Sequence, residues 1–302
     1  RVESVRRDVA REFGCDPEEI AITRNASESM QTLIFGVDLA PGDEVVVTDQ
    51  NYPRMLTSWD QRARRDGIVV KKLSFPVPMT SSGELMGLIE RAVTPRTRVI
   101  EVPYVTNYSG QVLPVAEIVR LGKSRGIEVF VDGAHAFAQV PFKRDDLDCD
   151  YFGASLHKWL LAPIGTGFLY VRKAKLKSIW PLMAADPSLD ENVRKYEEIG
   201  THPAANHNAI SAAMAFHRSI GVERKAARLR RLRDRWASPL LESGPRVKLW
   251  TPLDPAWSTG IALVQVEGID SGKLFGHLWD KHKIVVSPTK HAQFEGIRVS
   301  PN

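Results

Sequence analysis

Short apolar runs alternate along the first 236 residues with stretches in which apolar positions recur every three or four residues. The runs predict strands at 20–23, 44–48, 67–75, 97–105, 128–131 and 168–171. The three- and four-residue spacing predicts helices at 1–13, 83–93, 208–220 and 223–236. Alternating strands and helices are typical of a mostly parallel sheet covered by helices, with ligands at the carboxyl ends of the strands. We therefore predict an α/β fold.

The pattern changes to shorter pieces from about residue 237. Strands are predicted at 247–250, 260–266, 284–287 and 296–300, with a helix at 271–282. We therefore divide the chain into a large domain, 1–236, and a small C-terminal α+β domain, 237–302. The first residues of the chain are free in this scheme to pack with the small domain.

Composition narrows the possible partners. The 302 residues are 43% hydrophobic and 25% charged, which is typical of a globular protein with a sizeable core. Cys15 and Cys149 lie too far apart in sequence for a CxxC pair or a metal-ligand spacing, so we expect neither a disulfide framework nor a metal. The net charge is +5, but no basic stretch is interleaved with aromatic residues. We expect no nucleic-acid partner, and we interpret the basic helix 223–236 as a solvated face.

Candidate chemistry concentrates between residues 128 and 171. The strand 128–131 runs into Asp132-Gly133-Ala134-His135, and Ser155-Leu156-His157-Lys158 follows about twenty residues later. A lysine between two strands can be partly desolvated, which lowers its pKa and makes its amine a nucleophile toward carbonyl groups. Taken alone, an aspartate at a strand end is more often a turn residue, and a His-Lys pair is more often a solvated surface pair.

These two motifs resemble those of the fold-type I enzymes that use pyridoxal 5'-phosphate (PLP). They are most similar to the class V aminotransferase group, which includes isopenicillin N epimerase-like proteins and cysteine desulfurases. The similarity extends from about Ile20 to Ser300. It implies a large PLP-binding domain with a mostly parallel sheet flanked by helices, and a small C-terminal domain. It also implies PLP as cofactor, an amino acid or related amine as substrate, and a homodimer.

The resemblance assigns roles to both motifs. Lys158 matches the lysine that holds the cofactor aldehyde as a Schiff base, and Asp132 matches the anion beside the pyridine nitrogen. His135 matches the position that faces the phenolic oxygen of the cofactor. These three residues are the expected catalytic set. Ser155 and His157 match residues that bind the phosphate and flank the lysine.

Further cofactor contacts are implied at three strand exits. Ala26, Ser27 and Glu28 open a predicted helix and match the turn that cradles the phosphate, chiefly through backbone N–H groups. Tyr52 matches an aromatic residue stacked on the cofactor ring, and Asn107 matches a residue that bonds the phenolic oxygen and contacts substrate. Without the resemblance, the helix start is more typical of a plain N-cap and Tyr52 of a packed loop residue, and Asn107 before Ser-Gly is a good turn former.

Two more positions concern the substrate and the partner subunit. Thr201 matches a threonine that reaches the phosphate of the partner subunit's cofactor, which implies a dimeric active unit. Arg298 matches the arginine that pairs bidentately with the substrate α-carboxylate. Its structural alternative is a surface ion pair. Trp59 could cover the pocket, although we expect it to pack in the core.

Several reactions remain open. Cysteine desulfurases carry a nucleophilic cysteine shortly before the carboxylate-binding arginine, and 287–294 contains none, which disfavours desulfuration by that route. We expect an aminotransferase first, an isopenicillin N epimerase-like racemase or epimerase second, and a C–S or β-elimination lyase third. A catalytically inactive PLP-fold binding protein is the alternative outside catalysis, and so is an α/β binding module without PLP. The presence of both Lys158 and Asp132 argues against an inactive protein.

The sequence contains neither a recognisable signal peptide nor an apolar run as long as a membrane span. We therefore expect a cytoplasmic protein without a membrane partner. The chain begins with Arg1 instead of Met and ends at Asn302, so we expect trimmed ends, and export stays open.

Overall fold

The computed structural model describes residues 2–301. The strands are β1 (Ile20–Thr23), β2 (Glu44–Thr48), β3 (Val69–Leu73), β4 (Thr97–Pro103), β5 (Glu128–Asp132), β6 (Tyr151–Ser155), β7 (Gly167–Val171), β8 (Val247–Leu249), β9 (Ala262–Val266), β10 (Ser287–Lys290) and β11 (Glu295–Val299). The helices are α1 (Val2–Phe13), α2 (Ala26–Gly36), α3 (Pro53–Asp66), α4 (Ser82–Ala92), α5 (Val115–Arg125), α6 (Arg144–Leu147), α7 (Ala204–Ile220), α8 (Val222–Glu242) and α9 (Ser271–His282). Arg1 and Asn302, on which the expectation of trimmed ends rests, lie outside the described residues.

The large sheet has seven strands in the order β1-β7-β6-β5-β4-β2-β3. Strands β3, β2, β4, β5 and β6 are mutually parallel, whereas β7 is antiparallel to both of its neighbours. Every residue of β2, β6 and β7 is buried, as expected for strands covered by helices on both faces. The predicted α/β fold is therefore confirmed.

One face of the sheet holds an aromatic core around Phe13 of α1. Its ring lies 4.8 Å from the ring of Phe152 and 5.4 Å from that of Phe168, centroid to centroid. Helix α1 thus contributes its apolar side to the large core, where it also packs against α7. The sequence scheme had left these first residues free to pack with the small domain, but in the structure they belong to the large core.

The opposite face is covered by α2 and α3. Trp59 of α3 is completely buried, stacks on Phe130 and donates its indole N–H to the carboxyl group of Glu101. The expectation that Trp59 packs in the core is confirmed. Within residues 2–301, no helix is long and apolar enough to cross a bilayer.

The second sheet has four antiparallel strands in the order β10-β11-β9-β8. The predicted strand at 284–287 is wrong. Lys283 adopts a left-handed conformation (φ 56°) that ends α9, and Val285 is 74% exposed. Pairing with β11 begins only at Ser287, which lies opposite Arg298. A β-branched run therefore resembled a strand although it has no partner strand.

Helix α8 is longer than predicted. It continues beyond Trp236 to Glu242 and includes Pro239. The proposed boundary between residues 236 and 237 thus falls inside a helix, and the division into two domains stays a prediction.

A turn after β4 joins the two sheets. Gly110 has a φ of 69°, and an added Cβ would lie 2.4 Å from the carbonyl oxygen of Ile261, so only glycine fits there. Thr259 donates its backbone N–H to the Gly110 carbonyl (3.2 Å), and the Thr251 hydroxyl donates to the Ser109 carbonyl (2.6 Å). The small sheet is thereby fixed against the carboxyl end of β4.

Candidate active site

A cavity of about 180 Å³ opens at the carboxyl ends of β2, β4, β5 and β6, next to the first turn of α2. The chain leaves β2 for β3 on one side and returns to β4 on the other, so β2 and β4 flank a switch point of the sheet, where open α/β sheets bind ligands. Nine of the twelve predicted site residues line this cavity: Ala26, Ser27, Tyr52, Asn107, Asp132, His135, Ser155, His157 and Lys158.

Asp132 is the last residue of β5, and its side chain is 7% exposed. One carboxylate oxygen accepts a hydrogen bond from the backbone N–H of Ala134 at 2.9 Å. Burial raises the pKa of Asp132, while this hydrogen bond and the charge of Lys158 oppose the shift. A cation placed beside a carboxylate in such surroundings stabilises its charged form.

Lys158 and His135 are in direct contact. The amine nitrogen of Lys158 lies 3.1 Å from Nε2 of His135, and the indole N–H of Trp159 donates to Nδ1 of the same ring at 3.2 Å. Burial lowers the pKa of Lys158, which favours the free amine. Burial also lowers the pKa of His135 well below its ordinary value, with the Lys158 charge adding to the effect.

The first turn of α2 brings its positive end to the cavity. The Asn25 side chain caps the helix by accepting the backbone N–H of Glu28 at 2.9 Å, and the Ala26 N–H donates to the Ser155 hydroxyl at 2.9 Å. Gly167 permits this approach, because an added Cβ would lie 2.6 Å from the Cα of Asn25. The helix terminus therefore offers a seat for an anion.

The three remaining predicted residues do not line the cavity. The carboxylate of Glu28 binds the backbone N–H and guanidinium of Arg24, so only the backbone of Glu28 is near the helix terminus. Thr201 is exposed before α7. Arg298, on β11, lies close enough for its charge to lower the pKa of both His135 and Lys158.

Arg298 approaches the cavity through Asn107. One guanidinium nitrogen donates to the Asn107 carbonyl at 3.0 Å and another to the Ser287 hydroxyl at 3.3 Å. Its Nε is buried without a hydrogen-bond partner among the described residues, and so is Oδ1 of Asn107. The Asn107 carbonyl and the Ser287 hydroxyl are both uncharged. Burial lowers the pKa of Arg298. The guanidinium is thus suited to receive a carboxylate.

Tyr52 and His157 complete the predicted set. Tyr52 precedes α3, is 37% exposed and lines the mouth of the cavity. His157 lies beside Lys158, with Nδ1 3.3 Å from the carbonyl oxygen of Thr166.

Sequence reasoning missed several residues of the site. The cavity is also lined by Asn25, Met55, Pro103, Val105 and Ala134. Asn25 carried a recognisable signal, because an asparagine directly before a helix is a preferred N-cap. Met55 carried none, since it lies in the first turn of α3 and reaches the cavity only through the tertiary fold.

These residues fit PLP. A helix N-terminus with adjacent hydroxyl and imidazole groups suits its phosphate, a buried carboxylate suits its pyridine nitrogen, and a desolvated amine suits its aldehyde. The buried, unpartnered Oδ1 of Asn107 and Nε of Arg298 are further polar atoms at or beside the cavity that lack a partner within residues 2–301.

Comparisons with known proteins agree with this chemistry. The family model described as Aminotransferase class-V matches residues 1–294. Isopenicillin N epimerase from Streptomyces clavuligerus is 28% identical over 98% of this chain and 79% of its own length. A cysteine desulfurase from Haloferax volcanii is 31% identical over 68% of this chain and 50% of its own length.

Solved structures share the fold. The cystine C-S lyase C-DES, in complex with cysteine persulfide, has a TM-score of 0.87 at 23% identity, covering 99% of this chain and 81% of that one. A cysteine desulfurase from Escherichia coli has a TM-score of 0.86 at 23% identity, covering 99% and 78%. The family match, the fold and the residues around the cavity lead to one conclusion: this chain belongs to the class-V aminotransferase family of PLP-dependent enzymes.

Proposed function

We propose that this enzyme holds PLP through Lys158, binds the carboxylate of an amino acid at Arg298 and removes a proton from Cα. The observation that carries the proposal is the contact of Lys158 with His135, 3.1 Å apart, in a cavity that the buried Asp132 also lines. When bound, PLP supplies an electron sink for the negative charge left at Cα.

Each residue has a distinct task in this proposal. The Asp132 carboxylate holds a proton on the pyridine nitrogen, and the first turn of α2 with Ser155 and His157 binds the phosphate. Tyr52 stacks on the ring, and Asn107 with His135 directs hydrogen bonds to the phenolic oxygen. Once the amino group of the substrate has displaced it, the free amine of Lys158 takes the Cα proton, and burial, which lowers the pKa of Lys158, favours the unprotonated form.

We place transamination first among the possible reactions. A single amine that takes the Cα proton and returns it to a neighbouring carbon is sufficient for transamination. Lys158 and His135, the two groups proposed to exchange protons, are in contact with each other at one place in the cavity. The amino acid side chain accepted by the enzyme is left open in this proposal.

Epimerisation is the second candidate, because the relative that covers 98% of this chain is an isopenicillin N epimerase. It requires that a proton return to the other face of Cα. The hydroxyl group of Tyr52, which also lines the cavity, is the candidate proton donor for that face.

Desulfuration through a cysteine nucleophile is not supported. Cys149 is buried and burial raises its pKa to about 12, and burial likewise raises the pKa of Cys15. Neither thiol lines the cavity. A lyase reaction without a thiol nucleophile remains a third candidate.

The active unit in this proposal is a homodimer in which Thr201 reaches the partner's cofactor phosphate. Two features support it. Thr201 is exposed and lies outside the cavity of its own chain, and the nearby loop after Lys158 exposes Leu161 (53%) and Ile164 (84%). Asn206 of α7 donates to the Ile164 carbonyl, so the segment that follows Thr201 contacts this loop.

The cofactor assignment is tested by the absorbance spectrum of the purified protein before and after borohydride reduction, followed by peptide mapping. A visible band that disappears on reduction, with a pyridoxyl mass on Lys158, is the expected result. If no band forms after PLP is added, or if another lysine carries the label, the assignment of Lys158 is overturned.

The reaction is then assigned by incubating the enzyme in D₂O with a panel of amino acids, with and without 2-keto acids. Deuterium at Cα reports removal of the Cα proton. Exchange of amino groups between the amino acid and the keto acid supports transamination, whereas appearance of the opposite enantiomer without keto acid supports epimerisation. Release of sulfide or pyruvate from cysteine or cystine would support the lyase instead.

A further inference from the structure

Three consecutive groups are linked by hydrogen-bond contacts at the base of the cavity. The indole nitrogen of Trp159 lies 3.2 Å from Nδ1 of His135, and Nε2 of the same imidazole lies 3.1 Å from the amine of Lys158. Trp159 directly follows Lys158 in the chain but is only 2% exposed, so its indole ring is packed in the protein. Because the imidazole lies between the other two groups, the contact made at Nδ1 influences whether Nε2 carries a proton.

The indole decides which imidazole nitrogen carries a proton. An indole N–H can only donate, so Nδ1 of His135 must offer its lone pair. The tautomer with a proton on Nδ1 would direct two N–H groups at each other, and so would the doubly protonated imidazolium. Trp159 therefore disfavours both, and the neutral ring with its proton on Nε2 remains.

The proton on Nε2 in turn decides the state of Lys158. A neutral amine has a lone pair that accepts the Nε2–H hydrogen bond, whereas an ammonium group has only donors and would meet that proton unfavourably. The arrangement thus favours the free amine, which is the form that attacks a carbonyl carbon. The effect opposes the Asp132 carboxylate, whose charge favours the ammonium form.

Hydrogen bonds to the backbone carbonyls of Trp159 and His135 keep the two rings in place. The backbone carbonyl of Trp159 accepts the side-chain amine of Lys225, which is a residue of α8. The backbone carbonyl of His135 accepts the side-chain amide of Gln139 at 2.5 Å. The imidazole and indole planes meet at 65°.

We propose that Trp159 is a positioning residue: its indole N–H holds His135 as the neutral Nε2–H tautomer and thereby keeps the amine of Lys158 unprotonated. This inference rests on the proposed function in so far as Lys158 is the reacting amine.

The charged groups around the pair act in both directions. Arg298 and His157 face His135 and oppose its protonation, and Arg298 opposes protonation of Lys158. Asp132 is the group that favours protonation of Lys158. Burial, which lowers the pKa of both residues, acts in the same direction as the indole contact.

The first test measures the tautomer in the protein without PLP. Protein labelled with ¹⁵N-histidine is compared with Trp159→Phe, with a variant carrying benzothienylalanine at position 159, and with Trp250→Phe. Benzothienylalanine retains the bicyclic shape but replaces the N–H by sulfur. Trp250 donates its indole N–H to Gln265 at 3.0 Å and is the matched control.

We expect the two ring nitrogens of His135, assigned with His135→Gln, to resonate as one fixed Nε2–H tautomer in the wild type and in Trp250→Phe. In both variants at position 159 they should move toward the averaged values of exchanging tautomers. A fixed Nδ1–H tautomer in the wild type, or an unchanged signal in the folded benzothienylalanine variant, would overturn the proposal.

The second test measures the amine. Pulsed reductive methylation with formaldehyde, quantified on the Lys158 peptide across pH, reports the fraction of free amine without PLP. Losing the indole contact should raise the apparent pKa of Lys158 by about one pH unit, so the pH profile of the free amine should shift to higher pH by that amount. Trp250→Phe should leave the profile unchanged, and an equal profile in all variants would contradict the proposal.

The tests distinguish this inference from the proposed function. Both readouts use protein without cofactor, so a pyridoxyl label on a different lysine would sink the proposed function while the tautomer result still stood. Conversely, a pyridoxyl label on Lys158 together with unchanged histidine signals would retain the function and reject the role of Trp159.

Discussion

Two groups of charged side chains in this protein are built on opposite principles. In the first, which we call the N-terminal ion cluster (Glu3, Arg6, Glu18, Arg194 and Glu197), each charge has an opposite partner. Arg6 is 1% exposed and binds both oxygens of Glu197 at 2.8 and 2.9 Å. Burial opposes its charge, but the bonds to Glu197 and Glu3 outweigh burial and raise its pKa.

The cavity shows the reverse. Burial raises the pKa of Asp132 and lowers the pKa of His135, Lys158 and Arg298, so in each case the charged form is penalised. Charged groups that satisfy one another stabilise a fold, whereas charged groups held without full compensation are available to a ligand. The cavity, and not the ion cluster, is therefore suited to bind a charged ligand.

The largest expected effect is that of Lys158→Ala. It removes the reacting amine, so turnover should fall by about 10³-fold or more. Without PLP, the free energy of unfolding should not decrease, because the substitution removes an amine whose burial is unfavourable. Steady-state kinetics and urea denaturation measure the two quantities.

The control is Lys195→Ala. Lys195 is 4% exposed and donates to the carbonyls of Leu176 and Asp190 at 2.7 and 3.1 Å. Its loss should cost about 1–3 kcal/mol of stability and leave turnover unchanged. The comparison fails if both variants lose activity to the same extent.

The next effect concerns the ion cluster. Arg6→Met leaves Glu197 without its bidentate partner, and we expect the free energy of unfolding to fall by about 3–5 kcal/mol. The folded fraction should still bind PLP. Arg7→Met on the same helix, where the side chain is exposed, should change stability by less than about 0.5 kcal/mol. Equal stability of the two variants in urea would show that the cluster contributes nothing.

The smallest effect is a pH dependence. Bonds from Arg194, and then from Arg6, lower the pKa of Glu3 from 4.5 to about 2. This stabilisation is therefore present above pH 4.5 and is lost as the pH falls through about 2. Because Glu3 is half exposed, Glu3→Gln should cost only about 0.5–1 kcal/mol at neutral pH. The difference from wild type should shrink on acidification, and Glu90→Gln serves as the exposed control.

Most of the large sheet could be predicted from the sequence because most of its strands are apolar runs. β2 consists of Glu44-Val45-Val46-Val47-Thr48, and the structure buries all five residues. The run beginning Ile284-Val285 carries the same local signal, yet it is exposed. β2 has partner strands, whereas the run beginning at Ile284 has none. Strand pairing is a tertiary property that composition does not encode.

The position of residues at strand exits was predictable from the same apolar runs, whereas their roles followed only from the family resemblance. Asp132 directly follows an apolar run, and the edge of a parallel sheet brings it to the other strand ends. The bond between Trp159 and His135 was not predictable, because it depends on a reversal of the chain after Lys158 in which Leu161 adopts a φ of 64°. No spacing in the sequence indicates that reversal.

The turn that carries Gly110 has a consequence for protein engineering. The guanidinium of Arg298 on the small sheet bonds the carbonyl of Asn107. Thr251 and Thr259, in the connection between β8 and β9, bond the carbonyls of Ser109 and Gly110 in the same turn. The two sheets are therefore not interchangeable modules. A chimera that imports the small sheet of a relative, in order to acquire that relative's specificity, must import the turn 106–110 with it.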